Sequence, residues 1–164
     1  MDGESWYDVA QVCLDGHVSN ANVQAYPAHN KKFCADCGKP TITQCSACNT
    51  PLRGEYHVRG ISMVSRFTPA AFCHGCGKPY PWTEERVRVA KQLADEADNL
   101  DESDKETLKE TFADLVHESP RTTLAASRFK RLAKKAGDVI SDGLRTVLFE
   151  VASEAAKRQL WPGS

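Results

Sequence analysis

Residues 33–54, FCADCGKPTITQCSACNTPLRG, carry two C-x-x-C pairs, Cys34/Cys37 and Cys45/Cys48. A third pair, Cys73/Cys76, follows in FCHGCGKP at residues 72–79. Two thiols two residues apart grip one metal ion, because a tight turn aims both sulfurs the same way. Glycine just after the second cysteine, as at Gly38 and Gly77, favours that turn. Zinc takes four ligands in a tetrahedron, so pairs combine in twos, and three pairs leave half a site over. Cys13-Leu-Asp-Gly-His17, a thiol and an imidazole three residues apart, completes the count. The expectation is two Zn2+ sites: Cys13, His17, Cys34 and Cys37 around one, and Cys45, Cys48, Cys73 and Cys76 around the other. A cross-braced order, joining the first knuckle to the third and the second to the fourth, uses the same eight residues, and spacing alone does not separate the two.

The intervals suit short strands. Sixteen residues separate His17 from Cys34, room for a two-stranded ribbon. Twenty-four separate Cys48 from Cys73, among which Tyr56-His57-Val58 and Ile61-Ser62-Met63-Val64-Ser65 read as strands. A thioredoxin-like redox reading of one C-x-x-C needs a βαβ setting, which the sequence lacks. His29, His57 and His117 have no ligand-like partner nearby, and His74 lies inside a knuckle whose metal is held by its neighbours. Asp15 and Asp36 read as turn residues. The aromatics beside the knuckles, Phe33, Phe67, Phe72, Tyr80 and Trp82, read as cover for the metal sites and a minimal core.

All seven cysteines fall in the first 76 of 164 residues, and the charge is equally uneven. The chain as a whole has 21 basic and 22 acidic side chains, a formal net charge of −1, which excludes a uniformly basic nucleic-acid binder. Residues 83–120, however, hold five basic and twelve acidic side chains, and residues 121–164 nine and four. The sequence therefore predicts two domains, a double zinc-ribbon module over 1–82 and an α-helical domain over 83–164. No apolar run approaches the roughly 18 to 20 residues of a membrane span. The N-terminus has no basic stretch followed by an apolar core, so a cytoplasmic, reducing location is expected, where thiols bind metal.

In the second half, apolar residues recur at helical spacing. Val87, Ala90, Leu93, Ala94, Ala97 and Leu100 mark a first helix beginning at Thr83. Ser103-Asp-Lys-Glu106 reads as a capping box before Leu108, Phe112, Leu115 and Val116, and Pro120 stops that helix. A third runs from Thr122 or Thr123 to Ala136. The last spans about 138–160, with Val139, Ile140, Leu144, Val147, Leu148, Val151 and Ala155 as its apolar face. The expected fold is a small α+β protein, short β-hairpins of a double zinc ribbon followed by a bundle of three to four helices.

Two four-ligand sites leave no open metal position, and the motifs of zinc hydrolases, deaminases, phosphate-binding loops and serine hydrolases are absent, so no catalysis is expected. The leading expectation is a zinc-stabilised module that binds a protein partner. Nucleic acid is the alternative partner, contacted through Lys31, Lys32, the knuckle aromatics and the helix over 121–136, where Arg128, Arg131, Lys134 and Lys135 lie with no acid among them. The apolar face of that helix is mostly alanine, too small for membrane insertion.

The Phe33–Pro40 and Cys45–Gly54 knuckles resemble the double zinc ribbons of many prokaryotic proteins. Together with Tyr7-Asp-Val-Ala-Gln-Val-Cys-Leu-Asp-Gly-His17 and Phe72-Cys-His-Gly-Cys-Gly-Lys-Pro-Tyr-Pro-Trp-Thr-Glu84, they resemble an uncharacterised bacterial family known only as a domain of unknown function. The likeness covers the first half and reaches Val151-Ala-Ser-Glu154. It implies a bacterial cytoplasmic zinc-ribbon protein with the four knuckles as ligands, and it implies no activity.

Overall fold

The computed structural model describes residues 4–61 and 66–164, and the chain divides into two compact units, Met1–Thr83 and Glu84–Ser164. The first unit holds two small antiparallel sheets. Strand β1 (Ser5–Val9) pairs with β5 (Arg53–Val58), placing Trp6 opposite His57 and Tyr7 opposite Tyr56. Strands β2 (Gln11–Cys13), β3 (Val18–Asn20) and β4 (Thr41–Ile42) form the other sheet in the order β3-β2-β4. All three residues of the central strand β2 are buried, and Val12 faces both Ile42 and Val18.

Tyr56–Val58 are strand residues within the longer β5, and Ile61 bridges back to Val58. The rest of the anticipated strand, Ser62-Met63-Val64-Ser65, lies outside the described residues. The anticipated ribbon between His17 and Cys34 is absent among the described residues. Only β3 is extended there, and it returns onto β2; the remainder is a loop with one 3₁₀ turn at Pro27–His29.

Side chains anchor that loop. The buried Asp8 carboxylate accepts hydrogen bonds from the backbone N–H groups of Gln24 at 2.9 Å and Ala25 at 3.1 Å. The buried Asn20 amide donates to the Tyr26 carbonyl and to Asn30 Oδ1, and Gln11 Oε1 accepts from the Lys31 N–H. A loop with no ladder of its own thus satisfies its backbone through three buried polar residues. Asp8→Ala strands two of those N–H groups. It is expected to destabilise the metal-loaded first unit by about 3 kcal/mol, seen as a lowered melting temperature with the helical signal of the second unit unchanged.

The second unit is five helices: α1 (Pro81–Asp95), α2 (Glu102–Val116), α3 (Thr122–Ala136), α4 (Asp138–Leu148) and α5 (Glu154–Leu160). The first begins two residues before Thr83, with proline at its first position, where a missing N–H costs nothing. The second is capped by Asp101, which accepts from the Asp104 N–H at 2.8 Å, and Ser103 sits inside its first turn. Helix α3 packs against α2, α4 and α5. It presents Ala125, Ala126, Phe129, Leu132, Ala133 and Ala136 to the core.

The single last helix expected over 138–160 is two. After Leu148 the chain turns, the Ser153 N–H donates to the Leu115 carbonyl of α2 at 2.9 Å, and the Ser153 hydroxyl caps α5 by accepting from the Ala156 N–H. Val139, placed by periodicity on the apolar face, is 86% exposed. It lies well round the helix from Leu144 and Leu148, which are fully buried.

Candidate metal centres

Three knuckles repeat one backbone design. The residue before the first cysteine bridges the proline at the far end: Phe33 to Pro40, Gln44 to Pro51, Phe72 to Pro79. Within each, the first cysteine's N–H donates across the loop, from Cys34 to Lys39, Cys45 to Thr50 and Cys73 to Lys78. Its carbonyl accepts from Gly38, Asn49 or Gly77, the residue that turns the chain. That position has φ of 72°, 60° and 73° respectively, the left-handed region that glycine enters freely and asparagine tolerates best among the others. The fourth knuckle closes differently. Gly16, at φ 93°, donates to the Cys13 carbonyl, and the His17 N–H donates to the Cys13 sulfur at 3.3 Å.

The knuckles combine in sequence order. Cys13, His17, Cys34 and Cys37 form one cluster, and Cys45, Cys48, Cys73 and Cys76 the other. Within each, the ligand atoms all lie within 4.8 Å of one another. Sulfur-to-sulfur distances are 3.7 Å for Cys13–Cys37, 3.8 Å for Cys45–Cys76 and 3.6 Å for Cys48–Cys73. They are far beyond the roughly 2.05 Å of a disulfide. His17 Nδ1 stands 3.5 Å from Cys13 Sγ and 3.6 Å from Cys34 Sγ. A metal about 2.3 Å from each sulfur sets tetrahedral edges of roughly 3.8 Å, and of about 3.6 Å to a nitrogen at roughly 2.1 Å. The measured edges match both values, so each cluster has the size and donor set of a four-coordinate metal site.

Hydrogen bonds prepare the sulfurs for that state. Burial alone pushes the Cys34 thiol up, but the backbone at Asp36 and Cys37 and the neighbouring thiols outweigh it and bring it down to about 7. Cys73 behaves alike: burial opposes, and the backbone at Gly75 and Cys76 with the Cys48 and Cys45 thiols lowers it to about 6. Cys37 and Cys76 are pushed up to about 11; a backbone hydrogen bond at Lys39 or Lys78 holds each down, and burial and the other sulfurs outweigh it. Each cluster is therefore a set of thiols competing for protons, a competition that a cation at the centre removes. The Thr50 hydroxyl lies 3.1 Å from Cys48 Sγ and is placed to donate to a thiolate there. Gly75 is held to glycine by packing as well, since a Cβ there would stand 2.2 Å from the Thr50 hydroxyl oxygen.

The residues considered as nucleic-acid contacts are divided between the two units. Lys31 and Lys32 are exposed. Lys135 on α3 pairs with Asp104, and Arg121, just before α3, pairs with Asp114, both acids of α2. Arg131 and Lys134 are exposed and Arg128 is half-buried, with no ion pair for these three among the described residues. The knuckle aromatics split. Tyr80 and Trp82 are buried, their rings stacked 4.6 Å apart, whereas Phe33 is 62% exposed. Sequence reasoning missed Trp6, stacked on His57 at 5.4 Å, and the pinning of that imidazole by Asn22 at 2.6 Å. No signal in the sequence ties residue 6 or 22 to residue 57. No helix among the described residues is long and apolar enough to cross a membrane.

Residues 6–160 match a family described as an uncharacterized protein conserved in bacteria (DUF2321). No curated protein and no solved structure matches the chain significantly.

Proposed function

The chain belongs to this uncharacterised bacterial family, and we propose that it is a zinc-stabilised protein-interaction module whose two metal ions serve folding and not catalysis. The closed donor sets carry the reading: each cluster offers four protein ligands and includes no carboxylate. When bound, zinc supplies a fixed tetrahedral node with no position for water or substrate. Cys13, His17, Cys34 and Cys37 would hold one ion, and Cys45, Cys48, Cys73 and Cys76 the other. Iron in thiolate sites shares this geometry, and zinc is favoured by the imidazole in the first set. The protein acts in the cytoplasm, where reduced thiols stay available to the metal.

Elemental analysis of the purified chain is expected to find two equivalents of zinc. One equivalent or less, or a preponderance of iron, overturns the metal assignment. Co-purification from native cells is expected to recover a protein partner. A monomer that recovers none, with behaviour insensitive to salt, overturns the adaptor role. Arg128, Arg131 and Lys134 on α3, which make no ion pair among the described residues, support a second reading, polyanion binding, which requires affinity for DNA or RNA that falls steeply with salt.

A further inference from the structure

We propose that a cleft beside the second metal cluster docks an acidic peptide segment, seating one large apolar side chain among Phe67, Phe72, Tyr80 and Trp82 and a neighbouring carboxylate on Arg53. The proposal rests on the interaction reading above and names the class of partner. The cleft has a volume of about 100 Å³ and is also lined by Leu52 and His74. That is room for a side chain, well below the roughly 300 Å³ or more of a drug-sized ligand site.

Its walls present hydrocarbon. Trp82 and Leu52 line it and are buried, and the Trp82 indole N–H is already spent on the Ala70 carbonyl at 3.0 Å. The Thr83 hydroxyl donates to the Ala71 carbonyl at 2.7 Å, so the Ala70–Ala71 segment is tied down at two points. Phe72 and His74 flank Cys73, and the metal knuckle thereby fixes one wall.

Charge selects the occupant. No carboxylate lines the cleft, and Arg53, exposed at its edge, makes no ion pair among the described residues. Its guanidinium lies 4.8 Å from the centre of the Tyr7 ring, and Tyr7 lies 4.9 Å from Tyr56. Both tyrosines are half exposed. The aromatic surface therefore continues past Arg53 along β1 and β5, which suits a chain passing over the cleft better than a small molecule ending in it. A guanidinium over an aromatic ring still has N–H donors to offer a carboxylate.

The test is an NMR titration of the full, metal-loaded chain, read at the Trp82 indole N–H and the Tyr7 and Tyr56 rings. The probe is acetyl-Gly-Phe-Glu-Gly-amide, with Gln replacing Glu, Ala replacing Phe, and acetyl-Gly-Phe acid as comparators. The first peptide is expected to shift those signals, replacement of Glu by Gln to weaken binding by about fivefold, the scale of one exposed charge pair, and replacement of Phe by Ala by about tenfold or more, the scale of one buried apolar side chain. Arg53→Gln, at an exposed position, is expected to reduce the Glu peptide to the level of the Gln peptide and leave the latter unchanged. The proposal is overturned by equal binding of the Glu and Gln peptides, or by Arg53→Gln weakening both alike. Silence at Trp82 up to about 5 mM, where a contact with a Kd of about 1 mM is roughly four-fifths saturated, also overturns it. Tighter binding of acetyl-Gly-Phe acid than of the longer peptide overturns the internal segment in favour of a chain terminus. Shifts confined to another surface remove this cleft and leave the interaction reading standing.

Discussion

Cys45→Ser is expected to leave about one metal equivalent per chain and to unfold the part of the first unit built on the second cluster. Cys45 is 4% exposed, with its sulfur 3.8 Å from that of Cys76. A serine hydroxyl stays protonated at neutral pH and is a poor ligand for a thiophilic ion. The size of the effect follows from how little else holds the unit together. Its fully described apolar core beyond the cysteines is Ala10, Val12, Leu52, Tyr80 and Trp82. A structural zinc in a small module contributes on the order of 10 kcal/mol or more. Whole domains are stable by only about 5–15 kcal/mol, so loss of one ion exceeds what five buried side chains can offset. Elemental analysis gives the stoichiometry, and amide NMR gives the location: signals from residues 45–82 should collapse while the first cluster keeps its metal. Retention of two equivalents with an unchanged melt would show that Cys45 is not a ligand.

Phe112→Ala is expected to cost the second unit about 3–5 kcal/mol, the range for emptying a fully buried aromatic position. Phe112 on α2 has no exposure and meets Phe129 of α3 edge-on at 6.3 Å, and Phe129 in turn meets Trp161 at 6.1 Å. Alanines at 90, 94, 97, 125, 126, 133, 136, 152 and 156 fill much of the same core. They bring the helices close but leave little side chain able to swing into a void, so the cavity stays open and the cost stays near the upper end. Urea unfolding followed by circular dichroism measures it. Since the second unit is the helical one, the loss should appear as a shifted helical transition with metal content unchanged. A shift below about 1 kcal/mol would mean that the core collapses around the gap.

What could be read from the sequence follows from how local each determinant is. A knuckle is fixed by residues within eight positions of one another, so the cysteine pairs and Gly38 and Gly77 were visible as written. Asn49 fills the same left-handed position without a glycine to announce it. Pairing between knuckles is non-local. Spacing left the sequential and cross-braced orders open, and only folded coordinates bring Cys13 beside Cys37 and Cys48 beside Cys73. Of the β1–β5 ribbon only Tyr56-His57-Val58 was legible; β1 and its pairing were not, for a related reason: both faces carry half-exposed aromatics, and no apolar alternation marks the ribbon. Nothing in the sequence around Asp8 foretells that Gln24 and Ala25 turn their N–H groups toward its carboxylate. The break between α4 and α5 was hidden by its own apolar residues, since Val147, Leu148, Val151 and Ala155 keep helical spacing straight through the turn. The serine at 153 was the available sign.

The sequential order of the two clusters also governs how the chain assembles as it is made. All four ligands of the first quartet precede Cys45, so it can close before any ligand of the second has been synthesised. At roughly 5–20 residues per second, the 39 residues from Cys37 to Cys76 impose a delay of about 2–8 s. During that interval a nascent chain that has filled its first quartet has no surplus thiols from it to capture the wrong ion or the wrong partner. A cross-braced chain would have kept Cys13 and His17 waiting while Cys34 and Cys37 competed for the same metal. Residues 53–58, the partner of β1, are made between the two events. The order of synthesis therefore favours the sequential pairing, and a refolding experiment started from the complete, metal-free chain lacks that bias.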